Sequence, residues 1–283
     1  MNEIKCCTVT CDKILDQSYW DNLYQSENLG WDLGKVSPPI KSYFEAIEDK
    51  NATILIPGSG NSYEAEHLSA QGFVNITVID IAPTLVRKLT QKFSTDTNIT
   101  VVLGDFFEHQ GHYDFIIEQT FFCALPRTMR QKYAYKMHNL LAPQGKLVGL
   151  LFNREFESGP PFGGSLAEYE KLFKMAFNFN TINVAGNSIS ERANDELFIE
   201  FQKNIQNHVG LYHFTGITCN DCMESVTESI SRLPEVHNVS MNSDFSALLI
   251  VSKKDIAIKE LQKIIAYDAK YKIISVNAVI GRL

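Results

Sequence analysis

At 283 residues the chain has material for one large or two modest domains, and its 45% hydrophobic and 21% charged content is that of an ordinary globular protein. A net charge of −7 argues against nucleic acid or an anionic membrane as partner, since both select a basic face. No apolar run approaches the ~18 residues of a membrane span, the opening MNEIKCCTVTCDK lacks a signal-peptide core, and six cysteines then read as thiols or metal ligands with the cytosol as the expected compartment.

Residues 1–15 are short and polar and hold Cys6, Cys7 and Cys11. They read as a tail, the competing reading being an extra soft-metal or redox site. Both tryptophans fall in YWDNLYQSENLGWDLGKVSPPI, residues 19–40. Trp20 and Tyr24 lie one helical turn apart and share a face. Trp31 sits in a Gly-Trp-Asp-Leu-Gly turn, and Pro38-Pro39 open a helix toward Glu48. Aromatics at such spacing commonly belong to a core, but their place before the first strand also suits a cover that folds over a ligand and excludes water.

Residues 53–83, TILIPGSGNSYEAEHLSAQGFVNITVIDIAP, organise the chain. The run at 54–56 is a buried strand. A glycine turn with Gly58 and Gly60 follows, then a helix to Gln71 that Gly72 stops. A second strand, 76–79, ends in Asp80. Strand, glycine turn, helix, strand and acid make a nucleotide-binding unit in which backbone approaches the ligand and the acid takes ribose hydroxyls. Tyr63 stands where the dinucleotide fingerprint wants its third glycine, and no Gly-Lys-Ser/Thr follows. A short glycine turn without phosphate-binding features suits S-adenosylmethionine, which carries no phosphate.

Pro83 opens a helix over 84–93. A third strand, 99–103, leads into Gly104-Asp105-Phe106-Phe107, where an acid beside an aromatic could hold an adenine ring. A fourth, 113–117, ends in Glu118-Gln119-Thr120. A helix over 127–141 is broken by Ala142-Pro143-Gln144-Gly145, and a fifth strand, 146–152, ends in Asn153-Arg154. A loop at 159–164, a helix at 166–177 and strands at 179–184 and 197–201 complete the unit, with Arg192 in the polar connection as a candidate near the substrate. The alternation predicts a parallel sheet with helices on both faces. Gly58, Asp80, Asp105, Gln119 and Asn153 all fall at strand carboxyl ends, where such sheets bind ligands.

Several of these stretches, GWDLGKVSPPI, ILIPGSGNSYE, VIDIAP, YDFIIEQTFFCALPRTMRQKY, LLAPQGKLVGLLF and ESGPPF, together resemble the thiopurine S-methyltransferase superfamily over about residues 15–204, closest to its thiol, thiocyanate and halide branch. The resemblance implies a class I methyltransferase fold, an α/β Rossmann-like and mostly parallel seven-stranded sheet. It also implies S-adenosylmethionine as donor and small soft nucleophiles as acceptors. It places the family's aromatic cover on Trp20, Tyr24 and Trp31, its glycine contact on Gly58 and its ribose acid on Asp80. Its adenine-side pair falls on Asp105-Phe106, and Gln119 takes the position near the methyl donor. No general base is evident. A sulfonium methyl is already activated and a soft anion has no proton to lose, so alignment and water exclusion suffice. Cys123, beside Phe121-Phe122, reads as a core thiol rather than a nucleophile.

From His208 the pattern becomes βαββαβ, which is ferredoxin-like: strands at 209–214, 236–241, 245–251 and 271–276, with helices at 223–233 and 256–266. Gly-Ile-Thr-Cys219-Asn-Asp-Cys222 at the first strand–helix junction resembles the heavy-metal-associated domain over about residues 209–277. Two thiolates at a helix start select a soft ion, Cu(I) or Zn(II). A metal-exchange protein is then a further expected partner; a redox pair and a degenerate structural copy are the alternatives. The expected organisation is a methyltransferase domain at 1–206 and a metal domain at 208–283. The polar join at 204–210 is expected to let the two be cut apart near Gln206 without opening either core. The competing functional reading is a metal carrier or sensor whose methyltransferase half is a scaffold.

Overall fold

A computed structural model describes residues 14–276, so Cys6, Cys7 and Cys11 lie outside the described residues. Two sheets organise the chain. The first has seven strands: β1 (Thr53–Pro57), β2 (Asn75–Asp80), β3 (Ile99–Leu103), β4 (Tyr113–Gln119), β5 (Leu141–Phe152), β6 (Phe177–Val184) and β7 (Glu196–Lys203). Their order is β3-β2-β1-β4-β5-β7-β6, with only β7 antiparallel to its neighbours. This is the class I methyltransferase fold. The runs read as continuous apolar strands are buried on both faces, Ile54, Leu55 and Ile56 among them.

Helices α1 (Gln17–Gln25), α2 (Pro38–Glu45), α3 (Tyr63–Ala70), α4 (Pro83–Lys92), α5 (Arg130–Leu140) and α6 (Leu166–Phe173) cover the two faces. Prolines start α2 and α4, and the Asp16 carboxylate caps α1 by accepting from Tyr19 N–H at 2.8 Å.

Boundaries depart from expectation in two places. The helix expected over 166–177 ends at Phe173, because the chain turns into β6, which starts at Phe177 rather than 179. Residues 142–145 do not separate α5 from β5; the strand begins at Leu141, opposite Tyr113. The register shifts before Phe115 pairs with Lys146, so Pro143-Gln144-Gly145 is absorbed as a bulge. Gly145 is required there, since a Cβ would stand 2.6 Å from the Tyr113 carbonyl oxygen.

The second sheet is antiparallel with order β11-β8-β10-β9: β8 (His208–Thr215), β9 (Val236–Met241), β10 (Ala247–Ser252) and β11 (Lys272–Val276). With α7 (Asn220–Ser231) and α8 (Ile258–Ile264) it completes the βαββαβ order. One face packs under these helices through Tyr212, Phe214, Leu248 and Ile250. The other face is not free. Val209, Leu211, Ala247, Leu249 and Val251 join the cluster that contains Ala134 and Met137 of α5 and Phe173 of α6.

Buried polar contacts line the same seam. Gln131 Nε2 donates to Ser240 Oγ at 2.9 Å and to the Met241 carbonyl at 3.1 Å, and Asn242 Nδ2 donates to the Thr128 carbonyl at 2.9 Å. The expectation that a cut near Gln206 opens neither core is thereby corrected. Although the join is short and polar, the strand it leads into is buried against the first sheet's helices.

Candidate functional site

A cavity of about 570 Å³ opens beyond the carboxyl ends of β1 to β5. Trp20, Tyr24, Trp31, Gly58, Asp80, Asp105, Phe106 and Arg192 all line it. Gly58, with φ +55°, passes under the cavity and donates its N–H to Ile79 O at 2.9 Å. A Cβ on it would stand 2.3 Å from Phe121 Cδ2, so side chain and turn need each other's shape.

Asp80 ends β2 and is 8% exposed. Burial pushes its carboxyl up to about 6, against the pull of backbone N–H groups at Ala82, Ile81, Gly60 and Ser59. Asp105 accepts from Phe107 N–H at 2.8 Å, which sets the turn after β3. Phe106 packs edge-on against Phe121 with ring centroids 5.1 Å apart.

The segment before β1 closes the cavity from above. Trp31 meets Trp20 and Tyr24 edge-on, each at 5.8 Å. Five contacts pin this cover. Gln17 Nε2 donates to Ile81 O at 3.0 Å, and Asp21 accepts from Thr84 N–H at 2.6 Å. Asp32 accepts from Asn61 of the glycine turn and from Tyr63 OH, the latter at 3.3 Å. Arg192 Nη2 donates to the Trp31 carbonyl at 3.1 Å.

Gln119 and Asn153 stand at strand ends as expected but are not among the lining residues. Thr120 takes φ +60°, and this turn brings Thr120 and Phe121 to the wall instead; the Gln119 amide oxygen is buried without a hydrogen-bond partner. Asn153 accepts from Leu166 N–H at 3.1 Å at the start of α6.

Another part of the wall is aromatic and carries both charge signs, with Glu191 and Asp195 beside two arginines. Phe152, Phe156, Pro160, Pro161 and Cys123 line it together with Arg154 and Arg192. Arg154 pairs with Asp195 at 2.7 Å, and Arg192 pairs with Glu196 at 3.2 Å and lies over the Phe152 ring. Burial pushes the Cys123 thiol far up, and its Sγ donates to the Thr120 carbonyl at 3.3 Å, as a core thiol does.

Sequence reasoning missed two groups. Asp32, the clasp on the glycine turn, carried no signal beyond its place in Gly-Trp-Asp-Leu-Gly. Glu118 is fully buried behind the wall; Oε1 accepts from Phe121 and Phe122 N–H, both at 2.8 Å, and Oε2 accepts from Tyr133 OH at 2.5 Å. Its signal was a carboxylate ending the apolar strand YDFIIE.

In the second domain Cys219 caps α7, and Cys222 N–H donates to its Sγ at 3.3 Å. Gly216, with φ +90°, lies so close to the Lys270 carbonyl that a Cβ would be 1.9 Å away. That contact brings Lys270 Nζ within 3.8 Å of Cys222 Sγ. Hydrogen bonds from Cys219 and Tyr271 lower the Cys222 thiol to about 7, and its thiolate character pushes Cys219 up. Two sulfur donors of this kind suit a soft ion of low coordination number. Among the described residues no group of three His, Cys, Asp or Glu side chains forms a metal cluster, and no helix is long and apolar enough to cross a membrane.

Comparison with known proteins agrees with both halves. The family model for thiopurine S-methyltransferase matches residues 15–205, and the heavy-metal-associated domain matches residues 212–272. A probable thiol methyltransferase 2 of Arabidopsis thaliana is 33% identical over 177 residues, covering 60% of this chain and 77% of the relative. A thiopurine S-methyltransferase of Vibrio campbellii is 29% identical, with 60% and 86% covered. A thiocyanate methyltransferase 1 of Brassica oleracea is 24% identical, with 67% and 86% covered. Among solved structures, a Burkholderia thailandensis 1,6-didemethyltoxoflavin-N1-methyltransferase with bound S-adenosylhomocysteine superposes with TM-score 0.56 at 16% identity, covering 66% of this chain and 87% of that one. The magnesium protoporphyrin IX methyltransferase of Synechocystis PCC 6803 gives TM-score 0.53 at 14% identity, with 69% and 100% covered. At these identities the structural likeness is one of fold.

Proposed function

We propose, from the premise that this chain belongs to the thiopurine S-methyltransferase family, that it transfers the methyl group of S-adenosylmethionine to a small soft anion. A thiolate, hydrosulfide, thiocyanate, halide or reduced metalloid species fits that description. The observation that carries the reading is the acceptor wall, which offers two carboxylate-paired guanidinium groups among aromatic rings and no strong base. Asp195 is paired with Arg154, and the Glu191 carboxyl is pulled down, and so made a weaker base, by its own backbone and the Ser190 hydroxyl. No histidine or lysine is among the described lining residues.

The donor supplies a methyl already activated by its sulfonium charge. The chain's contribution is placement. The Asp80 carboxylate would accept from ribose hydroxyls, the Gly58 turn would let the ligand lie against backbone, and Asp105-Phe106 would hold the adenine by edge and face. Trp20, Tyr24 and Trp31 would close over the bound donor and exclude water, which raises the effective concentration of a bound anion. Arg192 and Arg154 would draw the anion in and orient it. Gln119 would act only from beside the wall.

Cys219 and Cys222 would hold one soft cation, Cu(I) or Zn(II). We assign the methyltransferase role to residues 1–206 and the metal role to 208–283, as functions rather than as separately folding pieces. The deciding experiment incubates the purified chain with methyl-labelled S-adenosylmethionine and a panel of thiols, hydrosulfide, thiocyanate, halides, alcohols and amines. Transfer to the soft anions alone is expected; transfer only to hard nucleophiles would overturn the reading. Absence of donor binding would favour the metal-carrier reading.

A further inference from the structure

We propose that Glu118 is a positioning residue for methyl transfer, holding the 120–125 turn at the acceptor wall, and that the C-terminal sheet braces it through α5. The inference rests on the methyl-transfer reading above. Glu118 itself does not line the cavity, while Thr120, Phe121, Cys123, Ala124 and Leu125 do. Its carboxylate gathers three donors, the N–H groups of Phe121 and Phe122 and the Tyr133 hydroxyl. Phe121 in turn presses on Gly58 and on Phe106, on the donor side, while Cys123 of the same turn lies in the acceptor wall, so the turn that Glu118 holds touches both sides.

A buried carboxylate is a costly way to terminate two amides, which a neutral amide oxygen could also satisfy. What the charge adds is stiffness, since charge-assisted bonds are about twice as strong as neutral ones. The groups facing Glu118 leave it as the one that titrates. From α5 comes Tyr133, raised well above its ordinary range, and from the 3₁₀ turn comes Cys123, which burial keeps protonated. The neighbouring strand β5 presents Gly149, where a Cβ would stand 1.9 Å from the Glu118 carbonyl oxygen. Arg192 and Glu196 act on the Cys123 thiol. Burial pushes Glu118 itself up to about 7. The turn is therefore tight when the group is ionised and loosens as it takes up a proton.

The brace runs along α5. Tyr133 reaches Glu118 from the same helix on which Gln131 is bonded to Ser240 and Met241 of the second sheet. The strands β8 and β10 pack on that helix through the shared apolar cluster. The second domain thus fixes where Tyr133, and through it the turn, can sit.

The test uses the full chain. Without ligand, the amide shifts of Phe121 and Phe122 are expected to titrate together with a midpoint near pH 7, and E118Q is expected to flatten both. Y133F removes a donor to the charged form and is expected to raise the midpoint, which reports on the pair even where E118Q fails to fold. With an acceptor that the wild type uses, E118Q is expected to lower kcat about 10- to 100-fold, the scale of a small misplacement. Its KM for S-adenosylmethionine is expected to rise by a smaller factor than kcat falls, since Phe121 also packs on Gly58, and the acid limb of its kcat profile to disappear. Q131A is expected to lower kcat as well. Flat amide shifts in the wild type, or wild-type kcat in E118Q, would overturn the positioning role, and wild-type kcat in Q131A would overturn the brace. A wild-type chain that methylates nothing on the panel would sink the acceptor reading, while the amide titration would still decide whether Glu118 holds the turn.

Discussion

Gln131 on α5 donates to the hydroxyl of Ser240 on β9 at 2.9 Å, and both side chains are buried. With the apolar cluster that the two sheets share, a buried hydrogen bond of this kind leads us to expect that the two sheets melt together. Truncation after residue 206 is therefore expected to yield an aggregating or partly unfolded fragment. Leu249→Ala, at a fully buried site in that seam, is expected to cost about 2–5 kcal/mol. It is expected to lower the melting temperature of the whole chain in one transition. Two calorimetric transitions, with only one of them shifted, would show that the sheets are independent.

Asp80→Asn is expected to weaken S-adenosylhomocysteine binding by about 1–3 kcal/mol, the range for hydrogen bonds to a charged group. On the proposed assignment ribose hydroxyls would donate to the ionised carboxylate, and the free protein holds this group up to about 6. Binding therefore favours loss of the proton, and affinity is expected to fall as the pH drops through about 6. The asparagine variant is expected to lack that dependence. Calorimetry between pH 5 and 8 checks both statements.

The cover is clasped from two sides, by Asp32 on the glycine turn and by the Trp31 carbonyl on Arg192. Tryptophan fluorescence is expected to change on addition of S-adenosylhomocysteine. Trp31→Ala is expected to lose affinity and rate together, and Asp32→Ala to raise the dissociation rate. Wild-type affinity and rate in both Trp20→Ala and Trp31→Ala would remove the cover from the mechanism.

Gly58→Ala tests the turn itself. The added methyl meets Phe121 at 2.3 Å on a backbone at φ +55°, so either the ring or the turn must move. A fall in donor affinity of at least tenfold, with little change in secondary structure by circular dichroism, is the expected result.

Most of the fold was readable because its strands are continuous apolar runs capped by glycine, proline and acids. The ends of β1, β2 and β3 supplied Gly58, Asp80 and Asp105, all of which reach the cavity. Gln119 was expected near the ligand but does not line the cavity, because the left-handed Thr120 turns the chain one residue later, a conformation that threonine does not advertise. Asp32 and Glu118 bind partners that are distant in sequence or in the backbone, and spacing gives no sign of such partners. The packing between the two sheets, which argues against the separability expected of the domains, had a sign that the chain did carry. Ala247-Leu248-Leu249-Ile250-Val251 lacks the alternation of a sheet with one wet face, and all five residues are buried.

Cys219→Ser with Cys222→Ser is expected to abolish stoichiometric Cu(I) binding. Since the Cys222 thiol is lowered to about 7, wild-type affinity is expected to weaken as pH falls below that value and protons compete for the sulfur. Competition titration with a colorimetric Cu(I) chelator at pH 6 and 8 checks the direction.

On the proposal that Cys219 and Cys222 hold a soft ion, the doubly covered second sheet would also turn metal supply into a matter of enzyme lifetime. A body with one melting transition shares, throughout, whatever stability a ligand confers on any part of it. An ion present at 100 times its dissociation constant adds about 2.7 kcal/mol by mass action alone, provided the unfolded chain does not bind it. That increment would slow proteolysis of the methyl-transfer half without moving an atom in its cavity, so cellular abundance of the enzyme would follow the availability of the soft ion.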